Sequence, residues 1–410
     1  MPRTGNVLAP ADLAEQPDGW KGVIGGRVTS ADQASVFLAD ALAEVSIGLA
    51  PGQAPPLLGG LVTLEAEKKD GAIVGAIVRQ SLETARGGAL PPEHDRLLRR
   101  GVGRNLAARA RAIELVRQWF GQQKFIEVDT PQRVPSPGLD LHLDAFASDD
   151  AYLITSPEYQ MKRLLAGGMH RIFQLVHCFR RGEVGGWHNP EFLMLEWYRA
   201  FAGIGDVMSD TEQLVAHVVQ SMRGEPVVEV EGRRIDVKPP YDRLTVCEAF
   251  ESYAGTPEAQ VLQWAEHDED AFFEVLVNQV EPGIAQRDRA VFLVDYPAQQ
   301  ASLARLKPGD PRFCERFELC VGGHELCNGF GELVDPTEQK SRLERDTERR
   351  RKAGMPMYPI DAAFLESMID GIPPSGGNAL GLDRLIALTL GLSGIGSVLA
   401  FSEPWLRGTE

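Results

Sequence analysis

The sequence of 410 residues predicts an α+β protein in which a small β-barrel precedes a larger domain that contains both helices and strands. Three observations lead to this prediction. Short β-branched runs separated by Gly, Pro and Asp turns fill residues 20–90, apolar residues recur at helical spacing in residues 104–120, and two strand-like runs enclose a Gly-rich loop at residues 180–190. A typical size of about 150 residues per domain allows two or three domains.

The N-terminal region divides into a tail and a barrel. We expect residues 1–19 to be a flexible tail, because they hold three prolines and no periodicity. Residues 20–90 predict a reduced OB-like barrel. Barrels of this kind that bind nucleic acid need aromatic stacking platforms and a basic groove, but residues 1–95 contain two aromatic residues and 7 basic against 12 acidic ones. The pattern favours a structural or partner-docking barrel.

Residues 91–410 predict the larger domain. Its first helix is indicated by apolar residues at helical spacing, namely Leu106, Ala110, Ile113, Val116 and Phe120. The segment FIEVDTP that follows alternates like a strand and stops at Pro131. Residues 203–290 are helical in pattern and low in motifs, so we expect a helical insertion there.

The runs RIFQLVHCFR and EFLMLEWYRAF predict a hairpin with a long loop. In the second run Phe192, Met194, Glu196 and Tyr198 share one face. The opposite face is apolar, which indicates a strand that is covered on both sides. Glu196 is then buried, and a buried carboxylate needs a cation.

Composition and charge exclude several classes of protein. With 58 acidic and 42 basic residues, the formal net charge of −16 argues against a protein that holds nucleic acid mainly through a broad basic face. The five cysteines form no CxxC pair, and the Cys and His residues at 314–327 are poorly spaced for zinc, so we expect buried structural thiols. Without a signal-like N-terminus or a long apolar stretch, the sequence predicts a cytoplasmic protein with no membrane segment.

Unusual polar residues concentrate in three places, which are SPEYQMKRLL near residue 156, the hairpin, and the C-terminal segments around Glu325, Glu332 and Arg384. Two arginines, Arg180 and Arg384, together with two carboxylates seven residues apart suit a nucleoside triphosphate whose phosphates are clamped by arginines and whose magnesium is held by carboxylates. The segment GNALGLDR is neither GxGxxG nor GxxxxGK[ST], so a Rossmann or P-loop site is unsupported.

These motifs resemble those of class II aminoacyl-tRNA synthetases of the lysyl branch. FRRGEVGGWHNPEFLMLEWYRAF resembles motif 2, GNALGLDRLIAL resembles motif 3 and FIEVDTP resembles motif 1. The spellings HNPEF, MLEWYR, SPEYQMKRLL and ELCNGFGEL are most similar to the elongation factor P lysine ligases, which are paralogues of lysyl-tRNA synthetase. The resemblance covers about residues 104–403.

The resemblance implies a class II aminoacyl-tRNA synthetase catalytic fold, with an antiparallel-dominated mixed sheet flanked by helices, and a homodimer built through motif 1. It implies ATP-dependent activation of lysine or β-lysine as an aminoacyl-adenylate, with ATP and Mg²⁺ as cofactors, and ligation to a lysine side chain of elongation factor P. The alternatives are a lysyl-tRNA synthetase, transfer to a small molecule or lipid, and an inactive paralogue that acts as a binding protein.

The resemblance also assigns roles to residues. The catalytic residues are expected to be Arg180 and Arg384, which would neutralise the phosphates. The expected nucleotide-binding residues are Arg180, Arg181, Glu183, His188, Asn189, Phe192, Glu325, Leu326, Gly381 and Arg384. The expected amino-acid-binding residues are Ser156, Glu158, Glu196, Tyr198, Glu332 and Ala379. Magnesium is expected to bind Glu325 and Glu332.

The sequence departs from the family at four points, one of which is Arg181 in place of a common Asn. Gly182 stands where the family usually has an acidic residue, and we expect the neighbouring Glu183 to serve in its place. Ala379 matches the ligases, whereas lysyl-tRNA synthetases tend to have Gly. The N-terminal barrel is absent from the compact ligases and longer in lysyl-tRNA synthetases, so its poverty in aromatic residues favours a protein acceptor over tRNA.

Overall fold

The computed structural model describes residues 7–82, 89–138 and 141–409. The chain divides into two compact units, Met1–Ala110 and Arg111–Glu410. The division falls inside a helix, later in the chain than the predicted boundary between residues 90 and 91. None of the described helices combines the length and the apolar character that crossing a lipid bilayer requires.

The first unit contains the predicted OB-like barrel. Its strands are β1 (Val7–Leu8), β2 (Lys21–Ala31), β3 (Ser35–Ala39), β4 (Glu44–Leu49), β5 (Leu61–Lys69) and β6 (Ala72–Leu82). Strands β2 to β6 close in the order β2-β3-β4-β6-β5, and β5 returns to pair with β2. Apolar residues that include Ile24, Val36 and Leu38 fill the interior. Residues 83–88 of the predicted barrel segment lie outside the described residues.

Residues 7–19 differ from the predicted flexible tail. Strand β1 pairs in parallel with Val23 and Ile24, and Leu13 is buried in the barrel core. The ammonium of Lys68 donates a hydrogen bond to the carbonyl of Gln16, with 2.6 Å between nitrogen and oxygen. This segment contributes few apolar residues to the barrel. The burial of Leu13 could not be predicted from periodicity, because a single apolar residue forms no pattern. Residues 1–6 of the predicted tail lie outside the described residues.

The second unit is built around a mixed sheet. The strands that follow the barrel are β7 (Ile126–Glu127), β8 (Arg133–Val134), β9 (Ala147–Ser148), β10 (Ala151–Leu153), β11 (Arg171–Phe179), β12 (Glu191–Ala200), β13 (Val227–Val230), β14 (Arg233–Asp236), β15 (Asp242–Thr245), β16 (Val291–Pro297), β17 (Phe313–Val321), β18 (His324–Gly331) and β19 (Ser375–Gly381). Eight of them form one sheet in the order β15-β16-β17-β18-β19-β12-β11-β7. The edge strand β15 pairs in parallel with β16, and the edge strand β7 pairs in parallel with β11. All other neighbouring strands of this sheet are antiparallel, as the predicted fold requires.

Twelve α-helices are described in the chain. They are α1 (Pro92–His94), α2 (Val102–Gln122), α3 (Glu158–Ala166), α4 (Ile204–Arg223), α5 (Val246–Ala254), α6 (Glu258–His267), α7 (Glu269–Val275), α8 (Glu281–Ala285), α9 (Pro336–Lys352), α10 (Ala362–Gly371), α11 (Leu382–Thr389) and α12 (Glu403–Leu406). The predicted helix at residues 104–120 is part of α2. Val116 and Phe120 are buried as expected, but Ala110 is exposed, and Leu115 and Trp119 belong to the buried face instead.

Strand β12 is covered on both faces, which confirms the prediction from its alternation. Leu195 and Trp197 pack into an apolar core with residues of α4 and α11. On the other face Tyr198 packs with Tyr159 of α3 and Phe364 of α10. The carboxylate of Glu196 therefore lies inside the protein, between the sheet and α3.

The segment predicted as a helical insertion at residues 203–290 contains α4 to α8, but it is more than an insertion of helices. It also contains the β13–β14 hairpin and the edge strand β15, which pairs with β16. Helix α4 packs against the sheet through Leu214 and Val218. These strands have four residues each, too few for their alternation to stand out in the sequence.

Candidate active site

A cavity of about 250 Å³, which we call the arginine cavity, opens above strands β12, β18 and β19. It is bounded by the loop at residues 180–190 and by the start of α11. Nine of the ten residues expected to bind a nucleotide line it, namely Arg180, Glu183, His188, Asn189, Phe192, Glu325, Leu326, Gly381 and Arg384. The tenth, Arg181, is exposed and does not line this cavity. The fold thus brings together residues that lie up to 204 positions apart in the sequence.

Arg180 lies at the end of β11, where the hairpin turns into its loop. Its guanidinium carbon is 5.1 Å from the centroid of the Phe192 ring, and its Nη1 is 3.8 Å from Glu183 Oε1. The buried Nε atom of Arg180 makes no hydrogen bond within the part of the chain that the structure describes. Arg180 therefore presents an unused donor to an anion in the cavity.

Arg384 lies in the first turn of α11 and is fixed by three contacts. Its Nε donates to the carbonyl of Trp187 at 3.2 Å, its Nη1 donates to the carbonyl of Glu325 at 3.0 Å, and its Nη2 lies 2.7 Å from His188 Nε2. Burial and the nearby Arg384 charge lower the pKa of His188. The neutral imidazole can then accept from the guanidinium, which holds Arg384 against the loop.

The loop at residues 180–190 shows how the chain accommodates Gly182 at the position where the family usually has an acid. Gly182 has a φ of +87°, in the left-handed region that favours glycine. The next residue, Glu183, is the carboxylate that lines the cavity beside Arg180. Asn189 is largely committed to the backbone, because its amide donates to the carbonyl of Glu191 at 2.7 Å and its Oδ1 accepts from the Glu403 amide at 2.9 Å.

A second cavity of about 150 Å³, the glutamate cavity, adjoins the first. Ser156 and Glu158 line it, and Ala379 forms part of its wall. The two cavities share six lining residues, which are Leu143, Arg180, Met194, Arg316, Asn328 and Ala379. Two ligands could therefore meet at this junction, with Arg180 beside both of them.

Buried acidic residues lie beside the glutamate cavity. Glu196 accepts hydrogen bonds from Ser156 Oγ at 3.0 Å and from the Tyr198 hydroxyl at 2.6 Å. Lys162 Nζ lies 2.5 Å from Glu158 Oε1 and 2.5 Å from Glu332 Oε2. We call Glu158, Glu196, Glu332 and Lys162 the glutamate cluster.

Burial controls the protonation of the glutamate cluster. Burial, together with the negative charge of Glu158, raises the pKa of Glu196 to about 8. Burial raises the pKa of Glu332 to about 7, although Lys162 opposes this rise. Burial alone would lower the pKa of Lys162, but Glu158 and Glu332 raise it above its usual range. The cluster is short of positive charge and is suited to a cationic ligand.

The two carboxylates that were expected to share magnesium have different contacts in the structure. Glu332 pairs with Lys162 in the glutamate cluster, whereas Glu325 lines the arginine cavity together with Glu318. Desolvation and the charge of Glu318 raise the pKa of Glu325 to about 7. No group of three or more metal-ligating side chains is present among the residues that could be searched, residues 7–82, 89–138 and 141–409.

Sequence reasoning missed three residues of the site, namely Lys162, Arg316 and Glu318. Arg316 on β17 lines both cavities, donates to Glu318 Oε1 at 2.6 Å, and lies over the Tyr296 ring at 4.4 Å. The alternation of β17 puts Arg316 and Glu318 on one face, and the spacing of four puts Lys162 beside Glu158 on α3. The alternation of β17 and the spacing on α3 are both visible in the sequence. Neither pattern predicts a binding site, because the site forms only where these elements meet other strands.

The cysteines fit the expectation of buried thiols. Cys178, Cys247, Cys314 and Cys327 are buried and Cys320 is partly buried, and all five are free. Burial raises the pKa of the Cys314 thiol to about 12. The thiols are therefore protonated at neutral pH and are poor metal ligands or nucleophiles.

Comparisons with known proteins agree with this geometry. Residues 93–404 match the family described as tRNA synthetases class II (D, K and N). The chain is 39% identical over 312 residues to the elongation factor P (R)-β-lysine ligase of Edwardsiella ictaluri, and 38% identical over 312 residues to that of Klebsiella pneumoniae (strain 342). Each match covers 73% of this chain and 94% of the relative. The protein named in the same way from Proteus mirabilis is 37% identical over 311 residues, which cover 72% of this chain and 94% of the relative.

The family match begins at residue 93, so the barrel strands β1 to β6 lie outside it. The match includes every residue that lines the arginine and glutamate cavities. The chain belongs to the class II tRNA synthetase family and is an amino-acid ligase of that family.

Proposed function

We propose that this protein uses ATP to activate (R)-β-lysine as an aminoacyl-adenylate and then ligates it to a lysine side chain of elongation factor P. The observation that carries the proposal is the junction of a cavity lined by Arg180 and Arg384 and a cavity beside buried carboxylates, with Arg180 lining both. The names of the relatives support β-lysine and elongation factor P.

The arginine cavity is the proposed ATP site. Arg180 would neutralise the phosphate that is attacked, and Arg384 would hold the distal phosphates while His188 and Glu325 keep its guanidinium in place. The ring of Phe192, on the floor of the same cavity, would stack on the adenine. Glu183 would keep Arg180 oriented from the loop.

The glutamate cavity is the proposed amino-acid site. A substrate with two ammonium groups requires carboxylates, and Glu158, Glu196 and Glu332 supply them. Tyr198 and Ser156 orient Glu196 by donating to its oxygens. Ala379 lies in the wall common to both cavities, where its methyl group limits the space next to the substrate's carboxylate.

Activation would need no nucleophile from the enzyme. A carboxylate oxygen of the amino acid attacks the α-phosphorus of ATP, the bond from that phosphorus to the bridging oxygen breaks, and pyrophosphate leaves. The amine of the acceptor lysine then attacks the carbonyl carbon of the mixed anhydride, AMP leaves with the bonding pair, and the amine loses a proton. Positioning and charge neutralisation would provide most of the rate enhancement.

Magnesium fits the arginine cavity better at Glu325 and Glu318 than at the expected pair Glu325 and Glu332. The charge of Glu318 raises the pKa of Glu325, and a carboxylate beside such a neighbour would favour a divalent cation with oxygen ligands, which magnesium prefers. When bound there, the ion would supply positive charge to the phosphate oxygens of ATP. Glu318 lines this cavity beside Glu325, although it pairs with Arg316, whereas Glu332 does not line the cavity and pairs with Lys162.

We further propose a cytoplasmic homodimer formed through the motif 1 segment FIEVDTP, which contains strand β7. Strand β7 is an edge of the eight-stranded sheet, and Ile126 on it is 55% exposed. An apolar side chain on a sheet edge is suited to a contact with a second copy. Sedimentation velocity of the wild-type protein and of the Ile126→Lys variant tests this proposal. The wild type should be a dimer and the variant a monomer, and a variant that remains dimeric would contradict the assignment.

ATP–pyrophosphate exchange tests the activation step. We expect (R)-β-lysine to support the fastest exchange, α-lysine to support slower exchange, and norleucine, which lacks the side-chain ammonium, to support none. Failure of every lysine-type amino acid to drive exchange would contradict the proposal and would favour the inactive binding protein.

The acceptor is tested separately, by competition. With radiolabelled (R)-β-lysine and ATP, label should appear on elongation factor P and not on lysine tRNA or extracted lipid when all are present. A form of elongation factor P whose acceptor lysine is replaced by arginine is the matched control and should remain unlabelled. Efficient charging of tRNA would instead favour a lysyl-tRNA synthetase.

A further inference from the structure

The chain places one of its own lysines among the carboxylates proposed to bind the substrate. Lys162 projects from the middle of α3, its side chain is 1% exposed, and its ammonium contacts one oxygen of Glu158 and one of Glu332. The contact with Glu158 spans one turn of α3, whereas the contact with Glu332 crosses to the segment after β18. Lys162 therefore ties two otherwise separate walls of the site together.

The charges of the glutamate cluster do not cancel. Three carboxylates, Glu158, Glu196 and Glu332, face one ammonium, that of Lys162. The described partners of Glu196 are the neutral hydroxyls of Ser156 and Tyr198. With all three carboxylates ionised, two negative charges remain.

A neighbouring arginine does not supply the missing charge by direct contact. Arg305 influences Glu332 electrostatically, but its Nε pairs with Glu315 Oε2 at 2.5 Å. The deficit of two charges therefore belongs to the cluster itself. It equals the number of ammonium groups on lysine or β-lysine.

We propose that Lys162 is a built-in counter-ion that sets the net charge of the glutamate cluster, with its three carboxylates ionised, to −2 and thereby makes the site specific for substrates with two ammonium groups. This inference rests on the proposed function. Lys162 is a positioning residue, because it contacts the carboxylates that bind the substrate and not the reacting atoms. Without it the empty site would carry a third uncompensated charge, and the carboxylates would repel one another.

The contacts of Lys162 leave other carboxylate oxygens for the substrate. Lys162 uses Oε1 of Glu158 and Oε2 of Glu332, so each carboxylate keeps a second oxygen. Glu332 Oε1 lies beside the Tyr198 ring, and the absence of a side chain at Gly377 allows this approach, since a Cβ there would lie 2.5 Å from Glu332 Oε1 and 2.3 Å from the Tyr198 ring. Glu332 Oε1 and the carboxylate of Glu196 thus make no contact with Lys162 in the described structure.

The first experiment compares Lys162→Ala with Arg163→Ala in ATP–pyrophosphate exchange. Arg163 is the next residue of α3, is exposed and carries the same charge, so it is the matched control. We expect Lys162→Ala to raise the KM for (R)-β-lysine by about 30-fold and to change the KM for ATP by less than about twofold, whereas Arg163→Ala should change neither. An unchanged KM for (R)-β-lysine in Lys162→Ala would overturn the inference.

Chemical rescue separates the charge of Lys162 from its bulk. Propylammonium has the shape of the side chain that Lys162→Ala removes, and 1-propanol is its uncharged counterpart. The inference predicts that propylammonium lowers the KM for (R)-β-lysine of Lys162→Ala and that 1-propanol does not. Equal rescue by both compounds, or by neither, would show that Lys162 acts through packing and would overturn the charge role.

A double variant tests the charge count without relying on activity. Lys162→Met leaves a deficit of three, and Lys162→Met/Glu332→Gln returns it to two. The double variant should therefore unfold at a higher temperature than Lys162→Met, and a lower unfolding temperature would contradict the inference. If the wild type exchanged with no diamino acid, the proposed function would fail, whereas a normal wild type with an indifferent Lys162→Ala would overturn this inference alone.

Discussion

The two cavities of the second unit are neighbours with opposite electrostatics. The arginine cavity presents Arg180, whose Nε has no described hydrogen-bond partner, and Arg384, which is held by backbone carbonyls and a neutral histidine. Beside the glutamate cavity, Glu158 and Glu332 share the ammonium of Lys162, and Glu196 is bonded only to hydroxyl groups among the described residues. One site is short of anions and the other is short of cations. The charge of each cavity is therefore enough to assign each substrate to its site, before the shape of the substrate is considered.

The largest effect on this contrast should come from Arg384→Ala. Removing the charge that clamps the distal phosphates should lower the rate of exchange by about 100-fold or more, because preorganised donors to transferring phosphates are worth this much. The fold should survive, since α11 packs through Leu385 and Ile386. Exchange kinetics and thermal unfolding check both points. The control is Arg351→Ala, an exposed arginine on α9, and normal exchange by Arg384→Ala would show that the assignment of motif 3 is wrong.

The next largest effect should come from Glu196→Gln, which removes a charge from the cation-deficient site but keeps its shape. We expect the KM for (R)-β-lysine to rise by about 10- to 100-fold, because a charged hydrogen bond to the substrate is lost, and the KM for ATP to stay within about twofold. Glu191→Gln on the exposed start of the same strand is the matched control. An equal rise of both KM values would mean that the two cavities are not separate sites.

Magnesium dependence sharpens the contrast further. We expect Glu318→Gln to raise the magnesium concentration for half-maximal exchange by about tenfold, since it removes one of the two carboxylates proposed to hold the ion. Glu332→Gln should raise the KM for the amino acid and leave the magnesium requirement unchanged. A titration of exchange rate with magnesium for both variants decides the matter. The opposite pattern would restore the sequence-based pairing of Glu325 with Glu332.

The pH dependence follows from the raised pKa values of the glutamate cluster. Glu196, with a pKa of about 8, and Glu332, with a pKa of about 7, are largely protonated at pH 6 and become ionised as the pH rises. Because a diammonium substrate binds the ionised forms, the KM for (R)-β-lysine should fall by about tenfold between pH 6 and pH 8.5. Glu196→Gln should flatten the upper part of this profile. A KM that rises with pH in the wild type would contradict the assignment.

The smallest effect should come from Glu183→Gln in the loop. Its carboxylate lies 3.8 Å from Arg180 and is 29% exposed, so the pair contributes little, and we expect the KM for ATP to rise by about threefold. Steady-state exchange at varied ATP measures this change. Val184→Ala, at the next and exposed position of the loop, is the control. No change in Glu183→Gln would show that the carboxylate does not replace the family's acid.

The barrel and the hairpin were predicted from local patterns in the sequence, whereas most residues of the arginine cavity were expected from the resemblance to class II synthetases. Phe192 and Glu196 follow strand alternation, and Arg384 follows a Gly-rich strand that enters a helix. The glutamate cluster was predicted only in part. Lys162 contacts Glu332 across 170 positions, and no local pattern indicates such a pairing.

The N-terminal tail and the segment at residues 203–290 also contain features that local sequence patterns did not predict. Leu13 is buried because it packs into the core of the barrel, and β15 is a strand because it pairs with β16. Each is determined by a partner distant in sequence. Arg316 is a similar case, since its alternation was visible but its position between two cavities depends on β18 and β19.

The most direct test of the account is the intact mass of elongation factor P after incubation with the purified protein, ATP, magnesium and either (R)-β-lysine or norleucine. The account predicts that (R)-β-lysine adds one β-lysyl group to one lysine of elongation factor P, that norleucine adds nothing, and that one AMP is formed per transfer. An unmodified elongation factor P with (R)-β-lysine, in a preparation that exchanges pyrophosphate normally, would contradict the proposed acceptor, and modification with norleucine would contradict a site built for two positive charges.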